Sequence, residues 1–441
     1  MQIETLATGS LRPYARNART HSKAQIKQIA DSISRFGFNN PVLIDDSGQI
    51  VAGHGRVEAA KLLGLQTVPA VRLSHLSPND KRAYILADNK LALKAGWDRE
   101  ILAIELQELV QEDFEIELTG FESAEADLII EEAAEDSSGS AEDETPPLDA
   151  GLPVSRRGDL WLLGRHRLLC ADARDNTAYD VLLGGEEAEF VFTDPPYNVP
   201  INGHVSGKGK VRHAEFAMAS GEQTEAQFIR FLETIFEHLS RHTSEGSIHQ
   251  HCMDWRHAYE MLTAGRAVYS ELKNLVVWNK TNAGMGSFYR SQHELIFVWK
   301  NGGAPHINNF ELGQHGRNRT NVWTMAGANT FKAGRMDELA MHPTVKPVAL
   351  VAEALKDCSR RGGLVLDPFA GSGTMLIAAE RTGRRSRVME ISPQYADVSV
   401  RRWQKYTGKD AVLEGTGQTF DETAEQRADD GQEVLTEVTA Q

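Results

Sequence analysis

Cysteine is scarce in this chain. Its 441 residues include three, Cys170, Cys252 and Cys358, far apart and without a pairing pattern. That argues against a disulfide framework or a Cys-rich metal ribbon and fits a reducing, cytoplasmic compartment. Long apolar runs are missing too. No stretch approaches the ~20 residues that a membrane helix needs, although a 41% hydrophobic content is enough for real cores. The start, Met1-Gln2-Ile3-Glu4-Thr5, lacks the basic and then apolar pattern of a secretory signal. No internal repeat is visible. The length suggests two or three domains.

Positive charge is also in deficit, with a net charge of −15. That looks wrong for a partner of nucleic acid until the acids are located. Glu122 to Ala150 holds eleven acidic residues and no basic one, and Gly415 to Gln441 holds seven acids against Arg427 alone. These segments carry −11 and −6, which leaves about +2 for the rest of the chain. The acidity belongs to a linker and a tail. Local basic clusters such as Arg381, Arg384, Arg385 and Arg387 keep a polyanionic partner open.

Four segments follow from these composition shifts: a small α/β domain with a helical extension over 1–121, an acidic disordered linker over 122–155, a large α/β domain over 156–414, and an acidic disordered tail over 415–441. In the first, Ile26, Ile29, Ala30 and Ile33 recur at helical spacing between an N-cap at Ser22 and a stop at Gly37. Short strands are expected at Pro41–Ile44, Gln49–Ala52 and Val68–Val71. Gly53-His54-Gly55-Arg56 precedes a helix, where it serves either as a tight turn or as an anion cradle. Pro78 to Glu117 reads as amphipathic helix.

The large domain is organised around Asp194-Pro195-Pro196-Tyr197. The apolar run Phe190-Val191-Phe192 reads as a buried strand that two prolines must end. Open α/β sheets place ligands at the carboxyl ends of their strands, where this acid falls. A carboxylate, rigidly aimed carbonyls and an aromatic face, with no nucleophile among them, suit a planar amine. A second signal is the strand Leu364–Asp367, followed by Pro368-Phe369-Ala370-Gly371-Ser372-Gly373-Thr374 and a helix through Leu376 to Ala379. Glycines there let a ligand approach the backbone, and the helix start supplies donors. The next strand, Ser386–Met389, ends at Glu390, where a ribose diol is gripped in such units. The third glycine of the dinucleotide fingerprint is absent. Asn301 to Met341 reads as a polar insert in which Arg317, Arg319, Trp323 and Phe331 mix cations for phosphate with rings for bases, or as a plain surface insertion. His249, His251, Cys252 and His257 lack the ligand repeat of a closed zinc site, so no metal is expected.

Two resemblances follow from these residues. Asn17-Ala18-Arg19, Gly37-Phe38, Pro41-Val42, Gly53-His54-Gly55-Arg56, Ala59-Ala60 and Leu63-Gly64 resemble the N-terminal domain of the ParB family. In partition proteins of that family the glycine/arginine box binds a nucleotide triphosphate. This chain has Gly55 where the fuller box carries another arginine. The order of Asp194-Pro195-Pro196-Tyr197, His342-Pro343-Thr344-Val345-Lys346-Pro347, the glycine loop and Glu390 resembles the β-class DNA amino-methyltransferases.

The second resemblance implies a Rossmann-like doubly wound sheet, S-adenosyl-L-methionine as cofactor, double-stranded DNA as partner, and a homodimer as an assembly to consider. It assigns Asp194, Pro195, Pro196 and Tyr197 to catalysis. Asp172, Thr344, Lys346, Asp367, Phe369, Gly371, Gly373, Thr374 and Glu390 fall to the cofactor, and Arg317 and Arg319 are the DNA-contact candidates. Aspartate at the head of the catalytic motif leans towards the N6 amine of adenine. The alternatives are the N4 amine of cytosine, or a ParB-like regulator with an inactive methyltransferase half. Architectures of this kind resemble modification methylases of bacterial and phage-derived DNA.

Overall fold

The computed structural model describes residues 2–112, 114–134, 143, 145–146, 151–198, 221–280, 288–310, 319–325 and 345–439. The chain divides into two compact units, Met1–Ala133 and Ala134–Gln441.

The first unit is built on a four-stranded sheet. Its strands are β1 (Ile3–Ala7), β2 (Val42–Ile44), β3 (Ile50–Ala52) and β4 (Thr67–Arg72), in the order β1-β4-β2-β3. Helix α1 (Lys23–Phe36) starts where the Ser22 side chain accepts the Gln25 N–H, and it ends at Gly37 with φ of 86°. Helix α2 (His54–Leu62) begins at Gly53, whose φ of 99° only glycine adopts readily. Val42, Ile44, Ile50, Val57, Ala60, Val68 and Ala70 form the core between sheet and helices. Helices α3 (Pro78–Ala92), α4 (Arg99–Gln111) and α5 (Ser123–Ala134) follow.

The second unit carries a ten-stranded sheet among the described residues. In chain order its elements are β5 (Leu160–Leu163), β6 (His166–Cys170), α6 (Asn176–Leu183), β7 (Ala188–Thr193), α7 (Glu225–Arg241), β8 (Thr243–Met253), α8 (Ala258–Val268), β9 (Glu271–Lys280), β10 (His293–Lys300), β11 (Val322–Met325), α9 (Val348–Cys358), β12 (Leu364–Asp367), α10 (Thr374–Thr382), β13 (Arg385–Glu390), α11 (Pro393–Thr407), β14 (Val412–Leu413) and α12 (Phe420–Thr439). The strand order is β11-β9-β10-β8-β7-β12-β13-β6-β5-β14. The middle run β8-β7-β12-β13-β6 is parallel throughout. β7 and β12, at its centre, are largely apolar because both faces are covered, whereas β8 and β13 also bury polar side chains such as Ser247, His249, Gln250, Ser386 and Arg387. Helices α9, α10 and α11 pack on one face, and α6, α7 and α8 on the other. This is the doubly wound architecture expected from the sequence. Among the described residues, no helix is long and apolar enough to cross a membrane.

Two expectations of disorder need correction. The acidic stretch expected as a linker over 122–155 opens with α5, whose Ala124, Ala126 and Ile129 are buried. Ala126 and Ile129 close a small core with Ala103, Leu106, Val110 and Ile116. The apolar residues keep a helical period among the glutamates, so one face can bury while the acids stay in water. Asp143, later in that stretch, accepts the Val348 N–H at 2.9 Å. Residues 135–142, 144 and 147–150 lie outside the described residues.

The tail expected as disordered over 415–441 also folds in part, because Phe420 is 1% exposed and its ring lies 5.1 Å from that of Trp161. Arg427 donates to both carboxylate oxygens of Asp159, at 2.5 and 3.1 Å. Thr423 is buried too and Ala424 packs on the same core, so one face of an otherwise acidic helix is seated. Phe420→Ala is therefore expected to destabilise the second unit by about 3–5 kcal/mol, the usual cost of emptying a buried aromatic site. Chemical denaturation checks this, and an unchanged midpoint would mean that the tail is not docked.

Candidate active site at the carboxyl ends of the sheet

Parallel pairing brings four acids to one edge of the second unit. Asp194 follows β7, Asp367 ends β12, Glu390 ends β13 and Asp172 follows β6, on four strands adjacent in the order β7-β12-β13-β6. Four separate sequence motifs thus meet along one line, as the strand-end argument anticipates.

At β7 the prolines stop the ladder. The Tyr197 hydroxyl returns to donate to Asp194 Oδ1 at 2.6 Å. Asn198 then adopts φ of 51°, and its Oδ1 accepts the N–H groups of Gly221 and Gln223 at 3.1 and 3.2 Å. This buried asparagine, absent from the sequence expectations, fastens the chain after the motif. Its signal was weak: Asn tolerates a left-handed backbone, but nothing local marks this one. Thr193 Oγ1 donates to Asp367 Oδ1 at 2.7 Å, and the Phe369 N–H donates to the same oxygen at 3.0 Å. Asp367 is thus a strut between the strand that leads to Asp194 and the glycine loop. Burial pushes its carboxyl up to about 7.

Lys346 is the largest surprise of placement. Sequence resemblance gave it to the cofactor, but its ammonium lies on Asp194 Oδ2 at 2.5 Å and on Glu294 Oε2 at 3.1 Å. The physical reason is burial. A lysine whose side chain is 5% exposed needs counter-charges, and these two carboxylates supply them. Burial works against its charge, yet Asp194 and Glu294 together raise its pKa. Burial would also raise the pKa of Glu294, but Lys346 and Lys280 overcome this and hold its carboxyl at about 2. Lys280 reaches Glu294 Oε1 at 2.5 Å. Burial and the Glu294 charge push Asp194 above its ordinary value against the pull of Lys346. Glu294 and Lys280 were not found by sequence reasoning. A charged residue at the edge of an apolar strand reads as solvent-facing.

The glycine loop has the shape of a cradle. Gly371 and Gly373 have φ of 54° and 81°, and a Cβ on Gly373 would lie 2.9 Å from Ser399 Oγ. Glu390 is buried, accepting the Gly371 N–H at 2.9 Å and the Ser392 N–H at 2.8 Å, one on each carboxylate oxygen. The Ile391 N–H also bonds this carboxylate, and an ionised carboxylate has about four acceptor positions, so some acceptor capacity is left for a ligand. Burial pushes this carboxyl up to about 7. Asp172, one strand away, is held by a bidentate contact from Arg174, whose shortest bond is 2.6 Å. Thr374 Oγ1 donates to the Lys346 carbonyl at 3.3 Å, which joins this loop to the segment that carries Lys346. A glycine cradle, a diol acceptor and a second acid fit the nucleoside part of S-adenosyl-L-methionine.

Other expectations fared differently. Arg319 is not free for DNA. It pairs with Glu353 at 2.8 Å and Asp357 at 3.3 Å, and its guanidinium lies 4.6 Å from the centre of the Trp323 ring. Two carboxylates of α9 outcompete the expected role. Arg317 and Thr344 lie outside the described residues. His249 and His251 are buried and share the Tyr269 hydroxyl, each at 3.0 Å. Burial holds His249 near the neutral form, at about 3. In the first unit, a Cβ on Gly55 would meet His21 Cε1 at 3.1 Å and Ile29 Cδ1 at 3.2 Å, so an arginine there would crowd this packing.

Comparison with known proteins gives family matches in both units. A DNA methylase family profile matches residues 188–401, a ParB N-terminal domain profile matches 1–90, and a ParB-methyltransferase HTH domain profile matches 100–157. The ParB-like nuclease domain-containing protein YnaK of Escherichia coli is 54% identical over 72 residues, which cover 16% of this chain and 83% of that protein. Type II methyltransferase M2.DpnII of Streptococcus pneumoniae is 27% identical over 236 residues, or 49% of this chain and 82% of that one. Among solved structures, PvuII DNA methyltransferase (cytosine-N4-specific) is 14% identical with a TM-score of 0.40, covering 57% of this chain and 89% of that one.

Proposed function

Because the chain belongs to the DNA methylases, with a ParB-like domain joined ahead of the catalytic unit, we propose that it transfers a methyl group from S-adenosyl-L-methionine to the N6 amine of an adenine flipped out of double-stranded DNA. The observation that carries this is the position of Asp194, at the end of a parallel strand and in one row with the glycine loop and Glu390.

The chemistry of the row supports the reading. An exocyclic adenine amine is a poor nucleophile because its lone pair is delocalised into the ring. The Asp194 carboxylate and the Pro195 carbonyl can accept its two N–H groups and draw the nitrogen towards tetrahedral geometry, so that its lone pair becomes available. Once the nitrogen carries the methyl group, its surplus proton leaves along the Asp194 hydrogen bond to solvent. When bound, the cofactor supplies an electrophilic methyl on a sulfonium sulfur. Glu390 would hold its ribose, with Phe369, Gly371, Gly373 and Thr374 around it and Asp172 beyond. Tyr197 offers a ring on which the flipped base can stack. Fixed polarity and placement, rather than covalent chemistry, supply the rate.

DNA is the partner in this reading. It assigns no nucleotide ligand to the ParB-like domain and no particular oligomer. Transfer of labelled methyl to unmethylated DNA tests the activity. Single-molecule sequencing of DNA from expressing cells reads the base, and modified cytosine in place of adenine would overturn the N6 assignment.

A pH dependence follows from Glu390. Its carboxyl, raised to about 7 by burial, must be ionised to offer both acceptors to a diol. Cofactor affinity is therefore expected to weaken about tenfold from pH 8 to pH 6. Stability runs the other way. A raised carboxyl pKa means that the folded state holds the proton more tightly, so this contribution is full at acid pH and is lost as pH rises through about 7. Calorimetric titration and thermal melting at the two pH values check both signs. Affinity that is flat across this range would contradict the ribose role.

A further inference from the structure

Asp194 is occupied in a way that the proposed reaction must undo. Lys346 holds its Oδ2 at 2.5 Å and the Tyr197 hydroxyl holds its Oδ1 at 2.6 Å. An ammonium on that carboxylate weakens it as an acceptor for a neutral amine. It also opposes the positive charge that develops on the amine nitrogen as it takes up the methyl group.

One atom stands ready as the alternative partner for both occupants. Glu294 Oε2 lies 3.1 Å from the Lys346 ammonium and 3.3 Å from the Tyr197 hydroxyl. The lysine and the hydroxyl are themselves 3.3 Å apart. Glu294 comes from β10, which is separated from β7 by β8, so the cluster spans three adjacent strands.

The charge balance points the same way. Two carboxylates, Asp194 and Glu294, face two ammonium groups, Lys346 and Lys280. The lysines are not equivalent: the Lys346 side chain is 5% exposed and that of Lys280 is 27% exposed. Lys280 can swing towards water, whereas Lys346 must keep a carboxylate. When charge develops on the amine, a cluster that had released Lys280 would again hold two negative and two positive charges.

We propose that Glu294 is a positioning residue that takes Lys346 from Asp194 as the target amine arrives, so that the freed Asp194 carboxylate can grip that amine. This builds on the base-gripping role of Asp194 proposed above. Glu294 acts through the lysine and need not touch the substrate.

Glu294→Gln keeps the size of the side chain but loses the charge that draws Lys346 away. The single-turnover methyl-transfer rate is expected to fall about 10–100-fold, matching the loss of one charge-assisted bond. Cofactor affinity by calorimetry should stay unchanged, whereas the melting temperature should fall, because Glu294 is also the partner of Lys280 and shares the charge of Lys346. Glu294→Asp keeps the charge and should recover most of the rate; it also keeps the test open if the glutamine variant fails to fold. In the Lys346→Met background, Glu294→Gln should cost nothing further, because the lysine it serves is gone.

A wild-type rate in Glu294→Gln would overturn the proposal. So would an aspartate variant as slow as the glutamine variant, a full second loss in the Lys346→Met background, or a loss of cofactor affinity in step with rate. Asp194→Ala, measured in parallel, separates the two ideas. If it is inactive while Glu294→Gln is normal, only the hand-over fails. If Asp194→Ala itself is active, the base-gripping reading fails, and the hand-over with it.

Discussion

Asp194→Ala is expected to reduce methyl transfer about 10³-fold or more while leaving the fold and cofactor binding in place. The size reflects removal of a fixed acceptor aimed at a nitrogen that becomes positive during transfer, an interaction realised most strongly in the transition state. The fold should survive because Lys346 keeps Glu294 as a partner at 3.1 Å. Cofactor binding should survive because the glycine loop is anchored by Asp367 and Glu390, not by Asp194. Incorporation of labelled methyl into unmethylated DNA, with calorimetry on the same preparation, gives both numbers. Near-normal activity would remove the central residue of the mechanism, and lost cofactor binding would mean that Asp194 serves the other half of the site.

For Glu390→Ala the expected loss is in affinity. In the proposed role its carboxylate, besides accepting the Gly371 and Ser392 N–H groups, accepts from a ribose diol, and charged hydrogen bonds of this kind contribute about 1.5–3 kcal/mol each. Cofactor binding should weaken by at least about tenfold to a hundredfold. The same carboxylate also ties down Gly371 and Ser392, so part of the loss could come from a slack loop. Glu390→Gln separates the parts. It retains a carbonyl for one backbone N–H but turns a donor towards the other, so its effect should lie between wild type and alanine. A dissociation constant unchanged by either substitution would show that the ribose is held elsewhere.

The glycine loop, its helix and the acid after the next strand were legible because each depends on neighbours in sequence. The strands that lead to Asp194 and to the glycine loop are apolar because both their faces are buried, a close backbone approach needs glycine, and a proline pair must end a strand. The misread segments fail for one shared reason. Both α5 and α12 are acidic by composition, and bulk charge hides the few apolar residues, Ala126, Ile129 and Phe420, that decide whether a helix docks. Arg319 was misread because a cation among polar residues looks available until its partners on α9 are known.

By itself, then, the sequence determined which chemistries the molecule carries: a rigid acid-and-aromatic motif at a strand end, a nucleotide-type loop, and a terminal acid. Local rules of strand, turn and helix suffice for each. Only the tertiary structure decided how the acids work together. Lys346 meets Asp194 across 152 residues of chain, and Glu294 reaches Tyr197 across 97. A buried charge must be neutralised by whichever opposite charge the fold brings near, and that choice is made by strand order rather than by neighbours in sequence.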